Sequence, residues 1–242
     1  MSRVPSLTLS PRIDPKALAQ AYARDGRVSI TPFLSDEAAA WLADLLRDRS
    51  DWQQVLNSQD KTLELSRAAR AQLAAEQQAA LDAAVYGAAR YGFQYRYETI
   101  RVPDAPADRA ASNDPLCAFA QFMASDTVLT LMRDITGAAD IRFADAQATA
   151  YSPGDFLTGH DDAVAGKDRR AAYVLGLTRQ WRAEWGGLLM FHDSDRTLQG
   201  WSPAFNSLSL FRVPQIHSVS EVTRAAAFRR YSITGWLRAS RP

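Results

Sequence analysis

The chain has 242 residues, 47% of them hydrophobic, which is enough to bury a full core and fits one domain carrying a helical extension. Its 28 Lys+Arg against 27 Asp+Glu give a net charge of +1 with the arginines scattered, so composition offers no basic face for nucleic acid or for a membrane surface. A single cysteine, Cys117, excludes an internal disulfide and a thiolate metal cluster; with no signal-like N-terminus and no run near the ~20 apolar residues of a membrane span, it predicts a cytoplasmic protein.

In chain order, Asp14-Pro15 offers an N-cap and a first-turn proline for a helix running to Gly26. Ser35-Asp36-Glu37 opens a second helix with Trp41, Leu42, Leu45 and Leu46 on one face. The alanine-rich stretch Ser66 to Ala89 predicts a third, long helix burying Leu73, Leu81 and Val85. Phe93 to Val102 alternates and is aromatic, so it predicts a strand, followed by a polar loop from Asp104 to Asn113. Asp114-Pro115 and Ser125-Asp126 each start a short helix, the second closed by Gly137. From Ile141 the period changes. Short apolar or alternating runs at Ile141-Tyr151, Ala171-Thr178, Gly187-Phe191, Ser207-Val213, His217-Val222 and Arg230-Leu237 predict strands of a double-sheet jelly roll or barrel. The expectation is one α+β domain over 1–242: a mainly helical support over 1–140 and a β-dominated core over 141–238.

Chemistry concentrates in the β-rich half. His160-Asp161-Asp162 lies on an expected strand, where alternation turns His160 and Asp162 to one face and Asp161 to the other. His217 follows 55 residues after Asp162, the order of a 2-His-1-carboxylate site that holds Fe(II) on one octahedral face. The plain alternatives are a chance H-x-D and a core histidine bonded to a backbone carbonyl. Against them, the chain has only three histidines and two sit at the required positions. The third, His192, reads as a solvated turn residue beside Asp193. Oxygen activation at such a site needs a co-substrate, and 2-oxoglutarate is a dicarboxylate whose far end needs a cation. In Arg230-Tyr-Ser-Ile-Thr234, alternation groups Arg230, Ser232 and Thr234, offering a guanidinium fork with a serine hydroxyl beside it. A structural ion pair is the alternative for Arg230. Arg229 faces the other way, toward solvent.

The ordered set Tyr151-x-Pro-Gly-Asp155 to His160-Asp161-Asp162, Ala172-Tyr173 to Leu177, Trp185-Gly-Gly to Phe191, Ile216-His217-x-Val219 and Arg230 to Trp236 resembles the prolyl-hydroxylase-like 2-oxoglutarate, Fe(II)-dependent oxygenases. The resemblance covers roughly residues 141 to 238 and implies a double-stranded β-helix, a jelly roll with supporting N-terminal helices. It implies that His160, Asp162 and His217 bind the iron and that Arg230 meets the C5 carboxylate of 2-oxoglutarate. Tyr151 matches a tyrosine bonding the co-substrate or lining the substrate mouth, and Tyr173 lies on the strand facing the co-substrate. The implied reaction is hydroxylation of a prolyl residue in a protein or peptide, with release of succinate and CO2; ascorbate stays open as a further cofactor.

The chain departs from the family pattern in lacking a tyrosine near Gly176 and in a longer His217-to-Arg230 spacing, with Thr223 to Ala227 as a longer hairpin. Tyr95, Tyr97, Arg101 and the Asp104 to Asn113 loop are expected to grip substrate. Trp181, Trp185 and Trp201 are candidates for a peptide cleft, or for packing alone. A hydroxylase of a free amino acid or small metabolite, a non-catalytic cupin-like metal-binding protein and a metal-dependent hydrolase are the alternatives; the last two have no use for Arg230 and Ser232.

Overall fold

Capping chemistry starts the helices where the sequence directs. Asp14 accepts from the backbone N–H groups of Lys16 and Ala17, starting α1 (Pro15–Asp25), which closes on Gly26 at φ 67°. Ser35 caps α2 (Asp36–Asp48), which buries Leu42 and Leu46. The computed structural model describes residues 5–58 and 61–240.

The alanine-rich stretch is two helices. α3 (Arg67–Ala71) begins at the Ser66 cap, and α4 (Ala75–Ala89) begins afresh because the Gln77 side chain accepts the Ala74 N–H at 2.9 Å, holding Ala74 extended. The expected polar loop after Asp104 contains α5 (Pro106–Ala111). It is tied down by Arg109, whose buried guanidinium donates to the carbonyls of Pro103, Ala120 and Ala144. α6 (Pro115–Met123) and α7 (Asp126–Thr136) follow as expected. No single described helix is long and apolar enough to cross a membrane, and the apolar faces of α6 and α7 are buried in the core.

Among the described residues, thirteen strands pair antiparallel: β1 (Arg27–Ile30), β2 (Gln53–Ser58), β3 (Lys61–Ser66), β4 (Tyr95–Arg101), β5 (Phe143–Ala144), β6 (Gln147–Tyr151), β7 (Phe156–His160), β8 (Arg169–Gly176), β9 (Leu189–His192), β10 (Leu198–Trp201), β11 (Ser207–Arg212), β12 (His217–Val219) and β13 (Arg230–Arg238). Ten of them follow the order β1-β11-β8-β13-β6-β4-β7-β12-β9-β10 and curl into a jelly roll, with β2 pairing β3 and β4 and β5 pairing β13 off that path. Four of them precede residue 141: β1 forms one edge beside β11, and β4 pairs with both β6 and β7.

Alternation along these strands separates a core from a lumen. Leu175 on β8, Ile233 and Leu237 on β13 and Leu208 and Leu210 on β11 pack with Phe33, Leu42, Phe119 and Met132 beneath the helices. The other face of β13 carries Arg230 and Thr234 into the jelly-roll interior. At Gly235 an added Cβ would strike the Asp145 carbonyl, so only glycine lets the Tyr173 hydroxyl donate to that carbonyl, at 2.7 Å.

Candidate functional site

β7 and β12 pair so that His160 lies directly opposite His217, with ring centroids 4.2 Å apart. The Nδ1 of His160 bonds the Thr158 carbonyl at 3.1 Å and that of His217 the Gln215 carbonyl at 2.8 Å. A carbonyl only accepts, so each Nδ1 carries the hydrogen, and each neutral ring presents a bare Nε2. Both Nε2 atoms lie 3.4 Å from the Asp162 carboxylate, one from each oxygen. Burial and then the neighbouring His160 lower the His217 pKa. Burial acts to raise that of Asp162, but a hydrogen bond from His160 and the charge of His217, both available only when the rings are protonated, hold it below the usual carboxylate range. Two imidazoles and a carboxylate, with ligand atoms within 4.8 Å of one another, form a donor set that fits Fe(II).

The expected reason for this grouping needs correction. β7 ends at His160, and Asp162 stands beyond it with φ 61°, so a turn rather than strand alternation brings its carboxylate back. Asp161 accepts the Ala163 N–H in that turn, and Arg169 donates to the Asp162 carbonyl at 2.9 Å.

The triad opens on a cavity of about 580 Å³ whose wall also includes Arg230, Tyr151, Tyr173, Thr149 and Thr234. Arg230 is 5% exposed, its Nε has no hydrogen-bond partner, and no carboxylate pairs with it among the described residues. Its nearest π-face is Tyr151, 5.1 Å away, and burial lowers its pKa. A buried unpaired guanidinium is costly, and an incoming carboxylate would relieve that cost.

The other expected co-substrate residues divide. Tyr151 is buried in the wall and stacks on Tyr97 at 5.2 Å; burial pushes its phenol pKa up, so the hydroxyl stays protonated. Tyr173 also walls the cavity, yet its hydroxyl is committed to the Asp145 carbonyl. Ser232 shares the β13 face of Arg230 and Thr234 but is fully buried, 2.9 Å from the Thr149 hydroxyl, and Thr149 lines the cavity beside it. Thr149 escaped the sequence reading, although stepping two residues back from Tyr151 along β6 leads to it.

At the mouth, Tyr95, Tyr97 and Arg101 line the cavity as expected, joined by Phe93, Arg169 and Trp236. The Arg169 guanidinium stacks 3.6 Å over Trp236. Trp181, Trp185 and Trp201 are not part of this wall: Trp181 and Trp185 meet edge-on at 5.4 Å, and Trp201 packs on Phe191 at 4.9 Å. His192 bonds the Ser218 hydroxyl at 2.8 Å instead of pairing with Asp193, which Arg27 holds. Arg229 is not simply solvated, lying 3.4 Å from the buried Glu98 carboxylate.

A curled antiparallel sheet with two histidines and an aspartate at one end of its lumen, and an unpaired arginine in the same cavity, has the layout of a non-haem iron oxygenase. Residues 146–238 match the sequence model of the 2OG-Fe(II) oxygenase superfamily, whose cofactors are Fe(II) and 2-oxoglutarate. The chain is 36% identical over 100 residues to prolyl 3-hydroxylase OGFOD1 of Mus musculus, a match covering 38% of this chain and 18% of that protein. It therefore spans about a fifth of the length of the curated relatives it matches. In fold it is similar to a prolyl-4-hydroxylase of Pseudomonas putida, with a TM-score of 0.61 at 18% identity over 93% of this chain and 98% of that one. It is also similar to a Trichoplax adhaerens prolyl hydroxylase in complex with a hypoxia inducible factor oxygen degradation domain peptide, with a TM-score of 0.59 at 15% identity over 93% and 89%.

Proposed function

We propose that this protein is a 2-oxoglutarate- and Fe(II)-dependent hydroxylase acting on a prolyl residue of a protein or peptide, with release of succinate and CO2. The observation that carries the reading is Arg230, a buried cation without a carboxylate in the same lumen as a metal-ready triad. A metal-binding protein without turnover, or a hydrolase, has no use for it. When bound, Fe(II) and 2-oxoglutarate supply O2 activation and oxygen transfer to a C–H bond.

The chain's own groups do the rest. The Thr158 and Gln215 carbonyls fix both imidazoles with Nε2 toward the metal position, and Arg169 steadies the turn carrying Asp162. Arg230 grips the far carboxylate of the co-substrate, with the Thr149 hydroxyl on the neighbouring strand as a second donor. Leu157, Leu189, Phe211 and Val219 line the cavity with apolar surface and exclude water. Phe93, Tyr95, Tyr97 and Trp236 offer flat apolar surface to a pyrrolidine ring, and the Arg101 and Arg169 guanidinium groups offer donors to backbone carbonyls. The prolyl assignment is supported by the relatives' activities, and the peptide assignment by the complex of the Trichoplax protein.

The test is succinate formation with Fe(II), 2-oxoglutarate and O2, with and without a panel of prolyl peptides and free proline. Stimulation by peptides and not by proline is the expected result. Stimulation by proline alone would reassign the substrate to a small metabolite, and absence of succinate from iron-loaded protein under every condition would remove the oxygenase reading.

A further inference from the structure

Arg230 borders more than one cavity. A second cavity of about 150 Å³ shares Val174, Leu189 and Arg230 with the main one, and its remaining wall mixes the hydroxyl residues Ser29, Thr31, Ser202, Ser207 and Ser209 with apolar ones such as Trp201 and Pro203. Ser29 and Thr31 each bond the Ser207 hydroxyl, at 2.9 and 2.7 Å, so the hydroxyl surface is continuous from β1 to β11. Ser29, Thr31 and Ser202 are exposed, so this cavity opens to solvent, and none of Phe93, Tyr95 and Val164 at the first mouth lines it. The interior of a small jelly roll is ordinarily filled by side chains. Here small polar residues line a solvent-open cavity whose wall includes the same unpaired guanidinium.

The chemistry of the wall suits a carboxylate in transit. Each hydroxyl can donate to an oxyanion and accept from its remaining water, replacing hydration in steps, and no acidic residue lines the cavity to repel the ion. We propose that this hydroxyl-lined cavity is a separate access route by which the dicarboxylate co-substrate reaches Arg230 and its succinate product leaves, while the substrate occupies the first mouth. The inference rests on the 2-oxoglutarate-dependent reading above. Val174, Leu189 and Arg230 form the constriction, so the cation that binds the co-substrate also stands at its gate. A bound polypeptide would then not need to dissociate for succinate to be exchanged for fresh 2-oxoglutarate.

The single native cysteine, Cys117, is 2% exposed, so one introduced cysteine can be labelled selectively. Ser202→Cys at the second mouth and Val164→Cys at the first would each be capped with a bulky maleimide. Exchange of radiolabelled 2-oxoglutarate against unlabelled excess is then followed on Mn(II)-loaded protein without O2, so that no turnover is needed. The expected result is exchange slowed at least about tenfold by the cap on Ser202→Cys and changed less than about twofold by the cap on Val164→Cys. Slowing by the Val164→Cys cap alone, or no slowing by the Ser202→Cys cap, overturns the route. Ser209→Leu, which fills the wall from inside, is expected to slow exchange without any label, and the surface label decides if that variant does not fold. Failure of the parent protein to bind 2-oxoglutarate at all would overturn the co-substrate reading and the route with it, whereas failure of the route alone leaves binding intact.

Discussion

His160 and His217 face each other across the β7–β12 ladder, and each Nε2 is 3.4 Å from a different oxygen of Asp162. A divalent cation between these atoms joins two strands and a turn that are otherwise held by backbone bonds. Fe(II) or Mn(II) at about 100 times its dissociation constant is therefore expected to stabilise the protein by about 2.7 kcal/mol, read as a rise in thermal midpoint. His217→Ala is expected to abolish that rise, and a rise that survives in the variant would place the metal elsewhere.

Arg230 works against the stability of the protein that binds nothing. Because its charge is buried without a carboxylate, Arg230→Met is expected to stabilise the ligand-free protein by about 1–3 kcal/mol in urea unfolding. The same variant is expected to lose roughly 100-fold or more in 2-oxoglutarate affinity by calorimetry. Arg230→Lys keeps the charge but not the fork and should fall between. Unchanged affinity in Arg230→Met would move the anchor.

Glu98 is the opposite case, a fully buried carboxylate with three arginines. Arg67 grips both of its oxygens at 3.0 and 2.8 Å, Arg70 lies at 2.8 Å and Arg229 at 3.4 Å. Burial acts to raise its pKa, but these cations hold it below the ordinary value. A depressed folded-state pKa contributes stability that is present above the unfolded value and is lost as pH falls through the folded one. Glu98→Gln should cost about 3–5 kcal/mol at neutral pH and flatten the acid limb of a urea–pH series. A loss below 1 kcal/mol, roughly the worth of a surface pair, would show that the arginines are satisfied without it.

Asp145 shifts the other way. Burial pushes its carboxyl up to about 6, against the Trp236 N–H that it accepts at 2.6 Å. The native state then binds the extra proton, so this group's contribution to stability falls as pH rises from about 4 to about 6 and is level above that. Asp145→Asn keeps an acceptor for Trp236 and removes the slope, leaving the variant more stable than the parent near neutral pH by up to about 3 kcal/mol. The check is the difference in urea midpoint between the two proteins from pH 4 to 8. A difference that does not vary with pH would mean that Asp145 titrates normally.

The site was readable where chemistry and spacing coincide in one segment. His160, Asp162 and His217 were legible because histidine is rare in this chain, and the shared face of Arg230 and Thr234 because β13 alternates regularly. Their tertiary terms were not. That Arg230 has no partner is a property of everything packed around it, and the turn that returns Asp162 is visible only in its backbone angle. β1 is four residues directly after a helix cap, and β10 is exposed along most of its length, so neither carries a strong burial pattern. The break between α3 and α4 has no glycine or proline to announce it, only a glutamine reaching back to a backbone N–H. The three tryptophans were ambiguous because packing and ligand binding call for the same residue type.

β4 binds the two halves of the chain into one inheritance. It lies outside the matched segment 146–238, yet pairs with β6 through Glu98 to Arg101 and with β7 through Tyr95 and Arg96. A gene exchange that swapped only the recognisable segment between relatives would part β6 and β7 from the strand spanning them, and would separate Tyr95 and Tyr97 from the mouth they line. The residues that shape this site therefore reach back into the first hundred, outside the segment that matches the family model, and the unit that must travel together is longer than the matched part.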